Sequence, residues 1–175
     1  YMGMYYLTDA VERGDKRVDI KKTGFLIESD AYWWKEDVYF RSNHQRTDMG
    51  YTFKHPDPDD MTAQDVDRIE RYVNDFEDVL YSGGDISGYI DLSTFARWLL
   101  VQDLTCNADV AGTNKYLYKE DFAEEDPLSA KMKAGPLWDF DAMFKNPEDR
   151  NQWGPLHYSP YYYYPELFRH GSFVE

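Results

Sequence analysis

Asn107, Asp109 and Asn114 lie in the stretch LTCNADVAGTNKYLYKE, between a helical pattern and the apolar run Tyr116, Leu117, Tyr118. A second polar group, in AGPLWDFD, sets Asp139 and Asp141 behind another strand-like run at residues 131–137. Two clusters of hard oxygen donors, each beside a strand, suit a divalent metal and a phosphate. Phosphoryl transfer needs little covalent help from protein. It needs a carboxylate to orient or deprotonate the acceptor hydroxyl, and carboxylate and amide oxygens to hold a metal on the phosphates. One known arrangement sets an Asp in a loop, an Asn five residues later and a second Asp after the next strand. Asp109 and Asn114 have that spacing, and Asp139-Phe140 matches the start of a DFG motif. Spacing alone leaves a bland alternative open. Asn107, Asp109 and Asn114 equally suit helix C-capping and turns, and Asp139 and Asp141 equally suit solvated turn carboxylates.

The elements that must position these groups divide into a β-rich part, residues 1–54, and a helical part, residues 62–175, within one α+β domain. Residues 1–11 (YMGMYYLTDAV) read as a buried strand, with a turn at Gly14 and a partner strand over 17–20. Residues 24–28, 37–41 and 51–54 read as further strands, closely spaced as in an antiparallel meander. HPDPDD, residues 55–60, breaks the pattern with two prolines. A helix then spans residues 62–80, because Val66, Ile69, Val73, Phe76 and Leu80 recur at steps of three and four. Thr62 with Asp65 gives it a capping-box start, and Gly83-Gly84 a stop. A second helix covers residues 93–105, with Phe95, Trp98, Leu99 and Leu104 as its core face. The aromatic, proline-punctuated segment from Phe144 reads as irregular structure wrapped on the surface, with a helical start near Pro165.

A formal charge of −14 argues against a broad nucleic-acid footprint, which needs a basic face. It favours a cationic partner or a metal. No apolar run is long enough to span a membrane, and the single cysteine, Cys106, excludes an internal disulfide. The chain opens on Tyr1 inside an apolar run, and the expectation is a piece of a larger domain. Weaker signals point to bland roles. Residues 85–91 echo an EF-hand loop, but both key carboxylates are missing, so a turn into a helix cap is expected. His44, His55, His157 and His170 show no ligand spacing, and Cys106 reads as a small buried hydrophobe. The aromatic groups at 32–34 and 158–164 suit either a stacking platform for sugar or peptide, or packed core with a few wet rings.

YIDLSTFARWLLVQDLTCNADVAGTNKYLYKE followed by AGPLWDFD resembles the spore coat protein H family, the CotH kinases. So do the opening GMYYLTDAVERGDKRVDI and the closing YYYYPELFRHGSFVE, so the likeness covers nearly the whole chain. The resemblance implies a remote protein-kinase-like fold, with a β-rich N-terminal part and a helical part carrying the catalytic-loop and metal-binding segments. It implies an atypical protein kinase moving the γ-phosphate of ATP, with Mg²⁺ or Mn²⁺, to Ser or Thr of a protein. Asp109 would be the catalytic-loop Asp and Asp139 the metal-binding Asp. Asn114, Asp141 and Asn107 would be auxiliary metal or loop-ordering groups. An extracytoplasmic setting is also implied: secreted, at the cell surface or in a spore coat. The chain departs from the family pattern by lacking the upstream basic residues expected at the nucleotide phosphates. Asp9 stands where the family often has Glu, and Lys21 and Lys22 are the nearest cationic candidates, although two solvated lysines explain them as well. The alternative is therefore an inactive kinase-like scaffold that binds polysaccharide or a protein assembly partner.

Overall fold

The computed structural model describes residues 9–44, 48–107, 113–123, 125–141, 143 and 162–175. Strands β1 (Phe25–Asp30), β2 (Tyr39–Phe40) and β3 (Gly50–His55) precede helices α1 (Ala63–Ser82) and α2 (Leu92–Thr105). Strands β4 (Lys115–Lys119) and β5 (Met132–Ala134) follow, then short helices α3 (Tyr164–Leu167) and α4 (Gly171–Val174). The strands form one antiparallel sheet in the order β2-β3-β1-β4-β5. This is not the meander expected from strand spacing: β2 lies outside β3, and β1 takes β4 as its other neighbour. The α+β class holds, and the sheet joins the two parts of the chain by drawing β4 and β5 from the helical one.

Alternation along β1 gives the sheet two different faces. Phe25 and Ile27 join Tyr51, Phe53 and Leu117 in the main core, against Ile69, Val73, Phe76 and Leu80 of α1. Leu26 and Tyr116 face the other way, under Val18 and Ile20, with Trp138 packed alongside. Two glycines permit close approach. A Cβ on Gly24 would sit 2.3 Å from the Lys119 carbonyl oxygen, and one on Gly50 would sit 2.4 Å from the Trp33 ring.

α1 starts as its sequence dictates. Thr62 and Asp65 form a reciprocal capping box, and Gly83 ends the helix in the left-handed region at φ 76°. Asp91 caps α2 by accepting from the Ser93 and Thr94 amides, so the EF-hand-like stretch is a turn into a cap. The core face of α2 runs Phe95, Trp98, Leu99, Gln102. Leu104, expected in that core, is 58% exposed, because it lies on the side of the helix turned away from this stripe.

Three other expectations change. Residues 17–20 form no strand, only an isolated bridge between Arg13 and Val18, and the strand expected over 37–41 shrinks to β2. Residues 1–8 lie outside the described residues, and Asp9 to Val11 are not a strand. Residues 144–161 of the closing segment lie outside the described residues; beyond them Tyr163, Tyr164 and Leu167 are buried rather than wrapped on the surface. They dock on polar partners inside. The Tyr163 hydroxyl donates to buried Glu77 at 2.5 Å, Ser42 Oγ donates to the same carboxylate oxygen at 2.7 Å, and Tyr164 donates to the Phe95 carbonyl. Burial holds Glu77 above the ordinary carboxylate range, against the pull of those donors.

Candidate functional site

Two segments meet at Asp139. Cys106 ends α2 in the left-handed region at φ 49°, and Asn107 follows it into the interior, fully buried. The Asn107 side-chain amide donates to the Asp139 carbonyl at 3.0 Å. Asn114, directly before β4 and left-handed at φ 60°, donates its amide to Asp139 Oδ2 at 3.2 Å. Carbonyls and carboxylates only accept, so both amide groups have a fixed sense. Asn107 Oδ1 is then left buried, with no partner among the described residues.

Backbone strain collects here. Among the described residues, four non-glycine positions have positive φ, and Cys106, Asn114 and Asp139 (φ 53°) are three of them. The fourth is Tyr162, whose ring lies 4.7 Å from the ammonium of Lys115, the residue after Asn114. Asn and Asp tolerate this region better than most residues, but each instance still costs about 1 kcal/mol or more. Strain of that kind is retained where the surroundings hold a side chain in a required position.

Of the five residues singled out in the sequence, the structure brings together Asn107, Asn114 and Asp139. Asp141 lies two residues on, exposed in a turn. Asp109 lies outside the described residues.

The sheet face beside Asp139 carries a charged row that the sequence reading missed. Glu28 of β1 is the cross-strand partner of Tyr116 in β4, and the Tyr116 phenol hydrogen-bonds to it. Lys54 of β3 pairs with Glu28 at 3.0 Å. Burial holds Glu28 above the usual carboxylate range, with Lys54 pulling the other way. The Tyr116 phenol is pushed up by burial first, then by the charges of Glu28, Asp30 and Asp139. Three carboxylates thus lie within electrostatic reach of one hydroxyl. The signal was legible in part, since alternation in FLIESD sets Glu28 and Asp30 on the face opposite Phe25 and Ile27. The partner strands come from distant sequence and were not.

A cleft of about 740 Å³ runs along Gly135, Pro136 and Leu137, walled by Tyr118, Trp98 and Val101. Its size is that of a small-molecule site. Asp139 and Asn114 are not among its walls, but Leu137 brings it to within two residues of Asp139. Lys21, at its rim, is committed to Asp121 at 2.6 Å, so that phosphate candidate is engaged. Lys22 is exposed. His44 pairs with Asp78, His55 meets the Lys22 carbonyl and His170 meets the Leu80 carbonyl, each in a structural contact; His157 lies outside the described residues.

The donor set at Asp139 fits one kind of metal site. Among the described residues no group of three or more His, Cys, Asp or Glu side chains could cage an ion. One carboxylate with neighbouring amide oxygens is the donor set of Mg²⁺ or Mn²⁺ bound jointly with substrate phosphates. A stand-alone calcium or zinc site would need more ligands. Among the described residues, no helix is long and apolar enough to cross a membrane.

No curated protein and no solved structure matches the chain. The family described as CotH kinase protein matches it over residues 1–169 of 175. The match takes in both polar clusters and all five strands of the sheet, and on it the chain belongs to the CotH kinase family.

Proposed function

We propose that this chain is the core of an atypical protein kinase that transfers the γ-phosphate of ATP to a Ser or Thr hydroxyl of a protein. The observation that carries the reading is the convergence of Asn107 and Asn114 on Asp139, in a chain of the CotH kinase family. Asp139 and Asn114 would hold Mg²⁺ or Mn²⁺, and the bound ion would neutralise charge on the triphosphate oxygens. Asn107 pins the Asp139 backbone from below and so fixes where the carboxylate sits. The apolar part of the cleft, Trp98, Val101 and Leu137 beside the charged Arg17 and Arg97, suits a nucleoside, with its phosphates directed past Leu137 toward Asp139. Asp109 would orient the acceptor hydroxyl and take its proton. The family resemblance supports an extracytoplasmic setting: secreted, cell-surface or spore coat.

A second reading, a kinase-shaped scaffold, is favoured by the exposed rings of Tyr32 and Trp34, 58% and 60% accessible on one short turn. Polysaccharide or a protein assembly partner would stack there. Phosphate transfer from labelled ATP with Mn²⁺, in the wild-type chain and in Asp109→Ala, separates the two readings. The kinase reading expects transfer that the substitution abolishes. Transfer that persists in Asp109→Ala would remove Asp109 from its role, and no transfer in either protein would favour the scaffold.

A further inference from the structure

The three rings of the turn that follows β1 have two different jobs. Trp33 anchors. A Cβ on Gly50 of β3 would lie 2.4 Å from it, and it packs on Tyr39 of β2 with ring centres 4.8 Å apart. Tyr32 and Trp34, on either side of it, are exposed. Hydrogen bonds fix the backbone that carries them. The Tyr32 amide donates to the Asp30 carboxylate at 2.7 Å, the Lys35 amide to the Tyr32 carbonyl at 2.9 Å and the Glu36 amide to the Trp33 carbonyl at 3.1 Å. The Lys35 ammonium lies 4.4 Å from the centre of the Tyr32 ring and 5.3 Å from that of Trp34, so the two exposed rings flank one cation.

Charge and area decide what such a surface can hold. Lys35, Glu36 and Asp37 are the exposed neighbours of the rings. A cationic ligand meets Lys35 already seated at both rings. An anionic one meets Glu36 and Asp37, in a chain of net charge −14. A stable protein partner needs roughly 800 Å² on each side, whereas two aromatic side chains supply about 300–500 Å² even when wholly covered. A neutral polyol suits every group present. Its hydroxyls donate to the carboxylates and accept from the ammonium, and its C–H faces cover the rings. We propose that Tyr32 and Trp34, with Lys35, Glu36 and Asp37 around them, form a binding site for neutral polysaccharide. The site would hold the chain on glycan-bearing material, and it stands whether or not the chain transfers phosphate.

Native electrophoresis of the full chain through gels containing hydroxyethylcellulose, arabinoxylan or galactomannan, with polygalacturonate as the anionic comparison, tests this. At least one neutral polymer should retard the wild type, and polygalacturonate should not. In Tyr32→Ala and in Trp34→Ala the association constant with that polymer should fall about tenfold. Trp34→Phe keeps a ring and should retain most of the binding. Both alanine variants should melt like the wild type, because the substituted rings are exposed. Unretarded migration in all three neutral gels would overturn the site, as would retardation by polygalacturonate alone. Equal retardation of the wild type and the double variant Tyr32→Ala/Trp34→Ala would also overturn it. The kinase reading is tested separately, by transfer from ATP, and survives each of these failures.

Discussion

Lys119 is the residue whose replacement has the most calculable effect. It ends β4, the strand that begins beside Asn114, and it is fully buried. Its ammonium lies 5.0 Å from the Tyr72 ring and 5.7 Å from the Phe122 ring, and it has no hydrogen-bond partner among the described residues. Burial lowers its pKa from 10.5 to about 8, although Asp121 and Asp126 pull it back up. A tenfold change in proton affinity is worth about 1.4 kcal/mol, so holding this charge in the folded protein below pH 8 costs roughly 3 kcal/mol. Lys119→Met removes the charge and keeps most of the volume, but gives up ring contacts worth about 1 kcal/mol. The variant should therefore be more stable than the wild type by roughly 1–2 kcal/mol near neutral pH. Between pH 8 and 10.5 the folded wild type is neutral here while the unfolded chain remains charged. The unfolded chain then binds more protons, so wild-type stability rises with pH across that window and the advantage of the variant disappears. Urea unfolding of both proteins from about pH 7 to about pH 10.5 measures this difference directly, and titrations common to both cancel. A variant less stable near pH 7, or a difference that stays flat across the window, would refute the reasoning.

Asn114→Gly keeps the left-handed backbone at φ 60° without cost and deletes the amide that reaches Asp139. Metal-dependent ATP affinity, measured by calorimetry, should fall about tenfold while the melting temperature barely moves; equal affinity would show that the contact orders nothing. Gly24→Ala would push a methyl to 2.3 Å from the Lys119 carbonyl, which is backbone and cannot step aside. Chemical denaturation should show a loss of about 3 kcal/mol or more, and a loss under about 1 kcal/mol would mean that β1 and β4 are not packed as described.

Local signals in the sequence were strong enough to place most elements. The three-and-four spacing with Thr62, Asp65 and Gly83 located α1 to within two residues at its end, because caps and periodicity are both local. β1, β3, β4 and β5 were visible as short apolar runs. The strand order was not, because β1 pairs with β4 across about ninety residues and no turn chemistry announces that. Leu104 misled because a leucine at the helix end fits an apolar pattern, whereas the buried stripe of α2 continues through the polar Gln102. Tyr163 and Tyr164 looked like surface because their partners, Glu77, Tyr51 and the Phe95 carbonyl, are scattered through the chain. At the site, the residue types of Asn107, Asn114 and Asp139 were legible and their convergence was not. Glu28 and Lys54 were invisible as a pair for the same reason, since each reads as an ordinary strand residue until the sheet sets them side by side.

In the proposed function, Asp139 would hold the metal that carries the nucleotide. Calorimetric titration of the full chain with ATP, with and without Mn²⁺, for the wild type and Asp139→Asn, tests it most directly. ATP binding should depend on Mn²⁺, and Mn²⁺ alone should bind weakly, because one carboxylate and its amide neighbours do not cage an ion. Asp139→Asn should lose the Mn²⁺ dependence. ATP binding that is equally tight without the metal, or unchanged in Asp139→Asn, would contradict the metal-binding role of Asp139.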